Sequence, residues 1–542
     1  SRAASEHGKA ALRSKLIPAV TALSVVILSS GGCSADRPGE RGPDGTPVVL
    51  ISVDTLRSDR LPAYGYDGVE TPAIDALRRD GILFERAYTH APLTLPAHTS
   101  LLTGTLPPTH GVRDNLGYSV NAATTPSLQQ TLSRAGYATG AGVSAFVLRR
   151  ATGLAEGFDF YDDGIELGPD AAAPGIQSVQ RSGGETFEVV RPWLRSVADR
   201  PFFLFFHIFE PHTPYDPPAE FAARYEAPYD GEVAAADAVV GRLLQELRDL
   251  EVFDKALIIF LSDHGEGLGD HGESEHGVFL YRSTLQVPLI IKLPRGERAG
   301  GTVSHPVQLI DVCPTVAAIL GTGGEDRFEG RSLLAGETEE DRVTPIYAET
   351  LYPRLHFGWS DLAALIDGRY HFIDAPQPEL FDLLEDPDEL RNLFGSEPEL
   401  ETEFAKRLIV FDREVEGPQP TDLETRRRLE ALGYVGEVMV TDADALPDPK
   451  ARIGVLAEIR EAHRLFAGGN FASAVSAFRR IVDKEQGIED AWDYLALAHL
   501  GLGQVHEAAS IYREALDRVP RSMRLSRNAI IRTLGESSDP LS

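Results

Sequence analysis

The run PVVLISVD, from Pro47 to Asp54, decides how this chain folds. It is a continuous apolar segment rich in β-branched residues, which is typical of a strand buried on both faces of a sheet. Similar runs are PFFLFFHIF (residues 201–209), ALIIFLSD (256–263) and VPLIIKLP (287–294), and helix-like segments lie between them at residues 72–80, 127–135 and 231–250. Strands of this kind that alternate with helices predict an α/β fold built on one large sheet.

Two of these runs end in an aspartate. Asp54 ends the first strand, and Asp263, which His264 follows, ends a later one. Ligand sites in α/β sheets lie beyond the carboxyl ends of the strands, so we expect both aspartates at one edge. Carboxylates and an imidazole are suitable ligands for a divalent cation. Alternatively, each aspartate caps a helix, and SDHGEGLGDHGESEHG (residues 262–277) is a Gly-rich polar loop.

The stretch APLTLPAHTSLLTG, residues 91–104, predicts a helix with a hydroxyl at its start. Thr94 suits the N-cap, Pro96 suits the first turn, and Gly104 suits the end of the helix. A helix N-terminus offers free N–H groups and the positive end of a dipole, which stabilise an alkoxide or a bound oxyanion. The alternative is a capped helix with a purely structural role.

The length and the charge of the chain limit its function. A chain of 542 residues exceeds one simple core, so we expect one large domain with appendages, or two to three domains. The 52 Lys and Arg against 82 Asp and Glu give a net charge of −30, which opposes binding to nucleic acid or to an anionic membrane. The only cysteines, Cys33 and Cys313, form no disulfide framework.

Residues 1–32 are typical of a secretory signal, because basic residues precede an uncharged stretch whose apolar centre is too short for a comfortable membrane span. This stretch ends in SSGGCS, which resembles the lipobox of bacterial lipoproteins without its usual Leu. We therefore expect export to the periplasm or cell envelope, with acylation of Cys33, plain secretion and an uncleaved anchor as alternatives. Membrane contact is expected only through such an N-terminal lipid or anchor, and residues 33–46 form a flexible tether.

Four further parts are predicted after a main domain at residues 47–345. The segments TPIYAET, AALIDGRYHFI and PELFDLL predict the strands of a smaller α+β subdomain at residues 346–440, which a linker at 441–449 follows. Ala462 then recurs as Ala496, 34 positions later, and residues 492–520 match the signature positions of a tetratricopeptide repeat. We therefore expect two helical repeats at residues 450–522, packed on the main domain or stacked with a protein partner, and a tail at 523–542.

Five separated stretches occur in the order seen in sulfatases: ISVDTLRSDRLPAYGY (51–66), TLPAHTSLLTG (94–104), FEPHTPYDPP (209–218), LSDHGEGLGDHGESEHG (261–277) and ELFDLLEDPDELRNL (379–393). The chain from Pro47 to about Val440 therefore resembles the sulfatase branch of the alkaline phosphatase superfamily. This resemblance implies a mixed, largely parallel sheet sandwiched by helices, and a small C-terminal subdomain. It also implies an anionic ester substrate and one divalent cation (Ca, Mn or Zn) held by Asp54, Asp263, His264 and the residue at the nucleophile position, Thr94.

Thr94 departs from the sulfatase pattern. Sulfatases carry a Cys or Ser that matures to formylglycine in a C-x-P-x-R context, whereas this chain has TLPAH. A Thr cannot form formylglycine, and it resembles instead the nucleophile of superfamily members that act on phosphate diesters or transfer phosphoryl-linked head groups. We expect a hydrolase of phosphate or sulfate esters that favours phosphate. A head-group transferase and a degenerate scaffold that binds partners through its repeats are the alternatives.

Three histidines complete the expected site. His98 lies one turn after Thr94 at the position of the sulfatase Arg, where it could bind an anionic oxygen or hydrogen-bond the loop. His212, in EPHTPYDPP, matches the substrate-binding His of the family, and His276 stands near the place where sulfatases have a Lys beside the leaving group. Since imidazole titrates near neutral pH, either His212 or His276 could be the general acid.

Overall fold

A computed structural model describes residues 45–165, 180–334, 344–411 with 413, 417 and 419, and 446–519 with 525, 526, 528 and 529. The predicted signal, Cys33 and nearly all of the tether lie outside the described residues. Of the predicted linker, residues 441–445 lie outside them as well. No helix in the described ranges has the length and hydropathy needed to cross a membrane.

The main sheet contains the strands of the four apolar runs. Its members are β1 (Val48–Val53), β2 (Ile82–Tyr88), β3 (Ala138–Gly142), β4 (Phe160–Asp162), β5 (Phe202–Ile208), β6 (Leu257–Ser262), β7 (Gln286–Lys292), β8 (Thr302–Val303) and β9 (Val307–Gln308). The strand order is β4-β3-β5-β1-β6-β7-β2-β8, and β9 also pairs with β2. Only the pairs that β7 forms, with β6 and with β2, are antiparallel among these strands. This mixed, largely parallel sheet confirms the predicted fold class.

Helices cover both faces of the main sheet. Those of the main domain are α1 (Pro72–Asp80), α2 (Thr94–Thr103), α3 (Pro107–His110), α4 (Leu128–Arg134), α5 (Gly183–Val197), α6 (Ala219–Ala222), α7 (Pro228–Asp249), α8 (Arg282–Leu285) and α9 (Val312–Leu320). Alternate residues of β1 enter two separate apolar cores, one shared with α2, α4 and α9 and the other with α1, α5 and α7. All six residues of β1 are therefore buried, which explains why its sequence is apolar without alternation.

The smaller sheet is antiparallel, with the order β10 (Ile346–Thr350), β11 (Leu362–Asp367), β12 (Tyr370–Asp374) and β13 (Glu379–Asp382). These strands lie at the three segments predicted for the subdomain. Helix α10 (Tyr352–Phe357) follows β10. Helix α11 (Pro398–Leu408) packs on the sheet through Phe404 and Leu408, which share a core with Tyr347 and Leu365.

The C-terminal region is helical, with α12 (Gly454–Ala467), α13 (Phe471–Lys484), α14 (Glu489–Gly501) and α15 (Val505–Arg518). The recurring alanines Ala462 and Ala496 are both fully buried. Of the two arrangements expected, packing on the main domain is present, because Ile459 of α12 belongs to the same apolar core as Val278 and Tyr352. The assignment as tetratricopeptide repeats stays a prediction.

Candidate active site and metal centre

Asp54, Asp263 and His264 converge at the carboxyl edge of the sheet, because β1 and β6 are parallel neighbours. One ligand atom of each residue lies within 4.8 Å of those of the others, and all three side chains are fully buried. Nε2 of His264 lies 3.7 Å from Oδ1 of Asp54 and 3.5 Å from Oδ2 of Asp263. The two strand ends thus bring together the three residues expected to bind a cation.

The donor atoms of this cluster fit a divalent cation. Both carboxylate oxygens of Asp54 and Oδ2 of Asp263 are buried without a hydrogen-bond partner among the described residues. Burial raises the pKa of Asp54 to about 7, and burial together with repulsion from Asp54 raises the pKa of Asp263 to about 7. Because buried carboxylates are costly without a partner, a cation among these oxygens would relieve both of them.

His264 is oriented to offer one nitrogen to the cluster. Its Nδ1 donates a hydrogen bond to the carbonyl oxygen of Gly265 at 3.0 Å, so the ring's lone pair is on Nε2, which faces Asp54 and Asp263. Burial lowers the pKa of His264 to about 4, so the imidazole is neutral at neutral pH. A neutral ring held through its other nitrogen is the usual form of a histidine metal ligand.

Thr94 is the first residue of α2 and not its N-cap. Leu93 is the N-cap, and Oγ1 of Thr94 lies 3.3 Å from Nε2 of His264. The backbone N–H of Leu95 donates to Oδ1 of Asn115 at 2.7 Å, so the helix start is capped by a residue from another segment. The prediction that Thr94 caps the helix was therefore wrong by one residue, whereas the helix does end at Gly104, whose φ is 62°.

His98 lies behind Thr94, with no exposed surface. Its Nδ1 donates to the carbonyl oxygen of Thr94 at 2.8 Å and lies 3.4 Å from Oδ2 of Asp263, and its Nε2 accepts from the Ser52 hydroxyl at 2.9 Å. Burial lowers the pKa of His98 to about 4. Since both ring nitrogens are engaged, the geometry favours the second expected role, in which His98 hydrogen-bonds the segment that carries Thr94.

His212 and His276 lie beside the cluster. The ring of His276 is centred 4.5 Å from that of His264 and 5.0 Å from that of His212. Nδ1 of His212 donates to the carbonyl oxygen of Thr213 at 2.6 Å, so its Nε2 is an acceptor when the ring is neutral. Nδ1 of His276 is hydrogen-bonded to Oε1 of Glu266 at 2.9 Å. Burial lowers the pKa of His276 to about 4 and raises that of Glu266 to about 8.

Tyr229 on α7 holds the turn that follows Asp54, and no sequence pattern marked it. Its hydroxyl donates to the carbonyl oxygen of Thr55 at 2.7 Å and accepts from the backbone N–H of Arg57 at 3.0 Å. Thr55 has a φ of 55°, a left-handed conformation that β-branched residues rarely adopt. The two hydrogen bonds of Tyr229 therefore stabilise a strained turn directly after Asp54, one of the three candidate metal ligands.

Two further polar residues reach the site. His207 on β5 accepts at Nδ1 from the backbone N–H of Ser144 at 3.2 Å, and its Nε2 lies 3.4 Å from Oδ2 of Asp54. A histidine near the end of the apolar run PFFLFFHIF was the available signal for it. Asn115 has a buried Nδ2 without a hydrogen-bond partner in the described part of the chain, in addition to the bond that its Oδ1 accepts.

A mixed α/β sheet with a buried carboxylate and imidazole cluster at its carboxyl edge, beside a hydroxyl at a helix start, is an arrangement typical of hydrolytic enzymes that bind a metal ion. The family described as Sulfatase matches residues 46–322, and the one described as N-sulphoglucosamine sulphohydrolase, C-terminal, matches residues 269–412. The chain therefore belongs to the sulfatase family, whose members are metal-dependent ester hydrolases.

The chain is also similar, along about two thirds or more of its length, to individual named proteins. It is 24% identical to an arylsulfatase of Clostridium perfringens over 462 residues, which covers 68% of this chain and 94% of that one. The crystal structure of Ps i-CgsB in complex with a neocarrahexaose superposes with a TM-score of 0.60 at 21% identity, over 72% of this chain and 98% of that one. The crystal structure of the phosphonate monoester hydrolase of Agrobacterium radiobacter superposes with a TM-score of 0.54 at 24% identity, over 68% of this chain and 95% of that one.

Proposed function

We propose that the protein hydrolyses phosphate esters, diesters in particular, through a covalent intermediate on Thr94, with one divalent cation bound by Asp54, Asp263 and His264. The main support is the 3.3 Å distance between Oγ1 of Thr94 and Nε2 of His264, at the edge of a cluster of carboxylate oxygens that lack partners among the described residues. The cation, when bound, would lower the pKa of the Thr94 hydroxyl and neutralise charge on the ester.

In the first step, deprotonated Oγ1 of Thr94 attacks phosphorus, and the bond from phosphorus to the leaving oxygen breaks. The positive end of the α2 dipole favours the negative charge that develops there. Burial raises the pKa of Glu266 to about 8, so at neutral pH its carboxyl keeps a proton and donates it to Nδ1 of His276. Nε2 of the neutral His276 ring then carries the proton that can be given to the leaving oxygen. Nδ2 of Asn115, which has no hydrogen-bond partner among the described residues, is a candidate to donate to an ester oxygen.

In the second step, water attacks the phosphorus of phosphorylated Thr94, and the bond to Oγ1 breaks. His212 is suited to take the proton of this water, since its Nδ1 donates to Thr213 and its Nε2 is therefore an acceptor. The two histidines thus have opposite tasks, which follow from the different partners of their Nδ1 atoms. An alcohol in place of water would give the transferase alternative.

The preference for phosphorus follows from the Thr94 side chain. A formylglycine hydrate releases sulfate by collapse to an aldehyde, and a simple Thr ester has no such route, so its turnover requires attack by water on the central atom. One cation balances a singly charged diester better than a dianionic monoester. The fold shared with a phosphonate monoester hydrolase is compatible with phosphorus chemistry.

The test compares matched aryl phosphate diesters, phosphate monoesters and sulfates with several divalent metals. We expect the diester to be turned over fastest and a phosphorylated Thr94 to be trapped at low pH and identified by mass spectrometry. Thr94→Ala should abolish the adduct and lower kcat by about 10³-fold or more, while Thr94→Ser should retain an adduct at the same position. Thr99→Ala is the matched control, because the Thr99 hydroxyl donates to the Leu95 carbonyl one turn along α2.

Three outcomes would contradict the proposal. Full activity of Thr94→Ala would remove the nucleophile assignment, and a strong preference for sulfate without an adduct would remove the phosphoester preference. Products in which an added alcohol replaces water as the main acceptor would make the protein a transferase. A protein without metal and without activity on any of these esters would favour the degenerate scaffold.

A further inference from the structure

The C-terminal helix α12 contacts the loop that carries His276. Nη1 of Arg460 forms an ion pair with Oε1 of Glu275 at 3.2 Å. Ile459, the residue before Arg460, shares an apolar core with Val278, and both of these side chains are buried. His276 therefore lies between a residue that pairs with α12, Glu275, and a residue that shares the apolar core of α12, Val278.

The backbone of this loop is strained and depends on contacts from outside it. Leu268 and His271 have φ values of 51° and 52°, in the left-handed region that residues with a side chain rarely adopt. Such conformations persist only where the surrounding structure holds them. The loop is closed by the backbone N–H of Gly267, which donates to the carbonyl oxygen of Glu275 at 2.6 Å. A contact that fixes Glu275 therefore acts on the closing point of the loop and on His276, the next residue.

The position of His276 matters because its ring lies beside the reacting groups. It is centred 4.5 Å from the ring of His264, whose Nε2 lies 3.3 Å from Oγ1 of Thr94. A general acid has to lie within hydrogen-bond reach of the oxygen that it protonates, and a small displacement of the acid slows the proton transfer.

We infer that Arg460 is a positioning residue that the C-terminal helices supply: it holds Glu275, and through Glu275 it keeps Nε2 of His276 within reach of the leaving oxygen. The inference rests on the proposed function and adds to it the part that α12 plays in the first step. The side chains of Arg460 and Glu275 are 38% and 35% exposed, and ion pairs with this exposure contribute little to stability. Loss of Arg460 should therefore affect proton transfer and not the Tm.

The test compares methyl phenyl phosphate with methyl 4-nitrophenyl phosphate. In both, Oγ1 of Thr94 bonds to phosphorus, the bond to the aryl oxygen breaks, and that oxygen takes the Nε2 proton of His276. The same methyl phosphodiester of Thr94 remains, so the substrates differ only in the first step, and the more basic phenolate needs the proton more. Arg460→Gln should lower kcat/KM for methyl phenyl phosphate about tenfold and that for methyl 4-nitrophenyl phosphate less than about twofold.

Arg460→Lys keeps the charge and should recover most of the loss. The matched control is Lys484→Gln, because Lys484 of α13 pairs with Glu458 of α12 at 2.6 Å, and these side chains are 53% and 39% exposed. It should change neither substrate. In a Glu275→Gln protein, Arg460→Gln should cause no further loss, since Arg460 acts through Glu275.

Equal losses on both diesters in Arg460→Gln, no loss on either, or a further loss in the Glu275→Gln background would overturn the inference. Failure of the proposed function has a different signature. It would be seen as no turnover of either diester by the wild-type protein, or as a His276→Ala variant that loses no more activity on methyl phenyl phosphate than on methyl 4-nitrophenyl phosphate. Either of these results would overturn the inference as well.

Discussion

Two pairs of buried aspartates differ in what their oxygens contact. Asp237 accepts from the backbone N–H groups of Ile74 and Ala73 at the start of α1, at 2.8 and 3.2 Å. Asp311 likewise accepts two backbone hydrogen bonds. At the sheet edge, by contrast, both oxygens of Asp54 and one of Asp263 have no partner among the described residues. Burial raises the pKa of all four, so the hydrogen-bond inventory, and not the pKa, separates a structural aspartate from a candidate ligand.

The largest expected effect comes from removing one ligand charge. Asp263→Asn should lose the cation and lower activity by roughly three orders of magnitude. The reason is that a neutral amide replaces the carboxylate whose Oδ2 has no hydrogen-bond partner among the described residues and is therefore available to a metal. Asp311→Asn, its control, should keep stoichiometric metal and lower the free energy of unfolding instead. Metal content by mass spectrometry and kcat on the preferred ester give the readout, and full metal occupancy in Asp263→Asn would remove the contrast between the two pairs.

A smaller effect on metal affinity is expected for Tyr229, which contacts the residue after Asp54 and not the cation. Tyr229→Phe deletes both hydrogen bonds that hold the left-handed Thr55, so Asp54 should be less well oriented and metal affinity should fall about 10- to 100-fold. Tyr64→Phe is the matched control, since the Tyr64 hydroxyl also donates to a carbonyl, that of Phe84, and accepts a backbone N–H, that of Leu289. Titration with a competing chelator measures the affinity. Equal affinity in both variants would show that the Thr55 turn does not position the ligand.

The smallest expected effect concerns Asp237 and pH. Burial raises its pKa from 3.8 to about 6 in the folded protein, so between these values the folded chain keeps a proton that the unfolded chain releases. The stability that this carboxyl contributes is complete below about pH 4 and declines as pH rises through 6. Wild type should lose about 1 to 3 kcal/mol relative to Asp237→Asn over that interval. Thermal unfolding of both proteins from pH 4 to 7 measures it, and the opposite trend would mean that the two backbone hydrogen bonds outweigh burial.

The sequence predicts the convergence of Asp54, Asp263 and His264 because the information for it is local. An aspartate at the end of an apolar strand is visible in the sequence, and parallel neighbours bring such ends together without further detail. The four apolar runs and the three segments of the subdomain became strands for the same reason. His207 was also within reach of this argument, since it is a polar residue near the end of a run of otherwise apolar residues.

Features that depend on distant packing were not predictable. Tyr229 contacts Thr55 from 174 positions away, and no periodicity connects the two. Thr94 was displaced from the N-cap because Asn115, from a separate segment, caps Leu95. The packing of α12 on the loop that carries His276 joins segments that lie far apart in the chain. Each of these is a tertiary contact that a local pattern does not encode.

The central place of β1 has a consequence for the newly made chain. Its neighbours β5 and β6 begin at Phe202 and Leu257, so at synthesis rates of about 5 to 20 residues per second β1 waits roughly 10 to 40 s for its last partner. Throughout that interval a largely apolar strand has an open edge, which is a condition that favours aggregation of nascent chains. A truncated product that ends before β6 therefore carries this edge permanently, and shielding of the nascent chain has to last until residue 262 has been made.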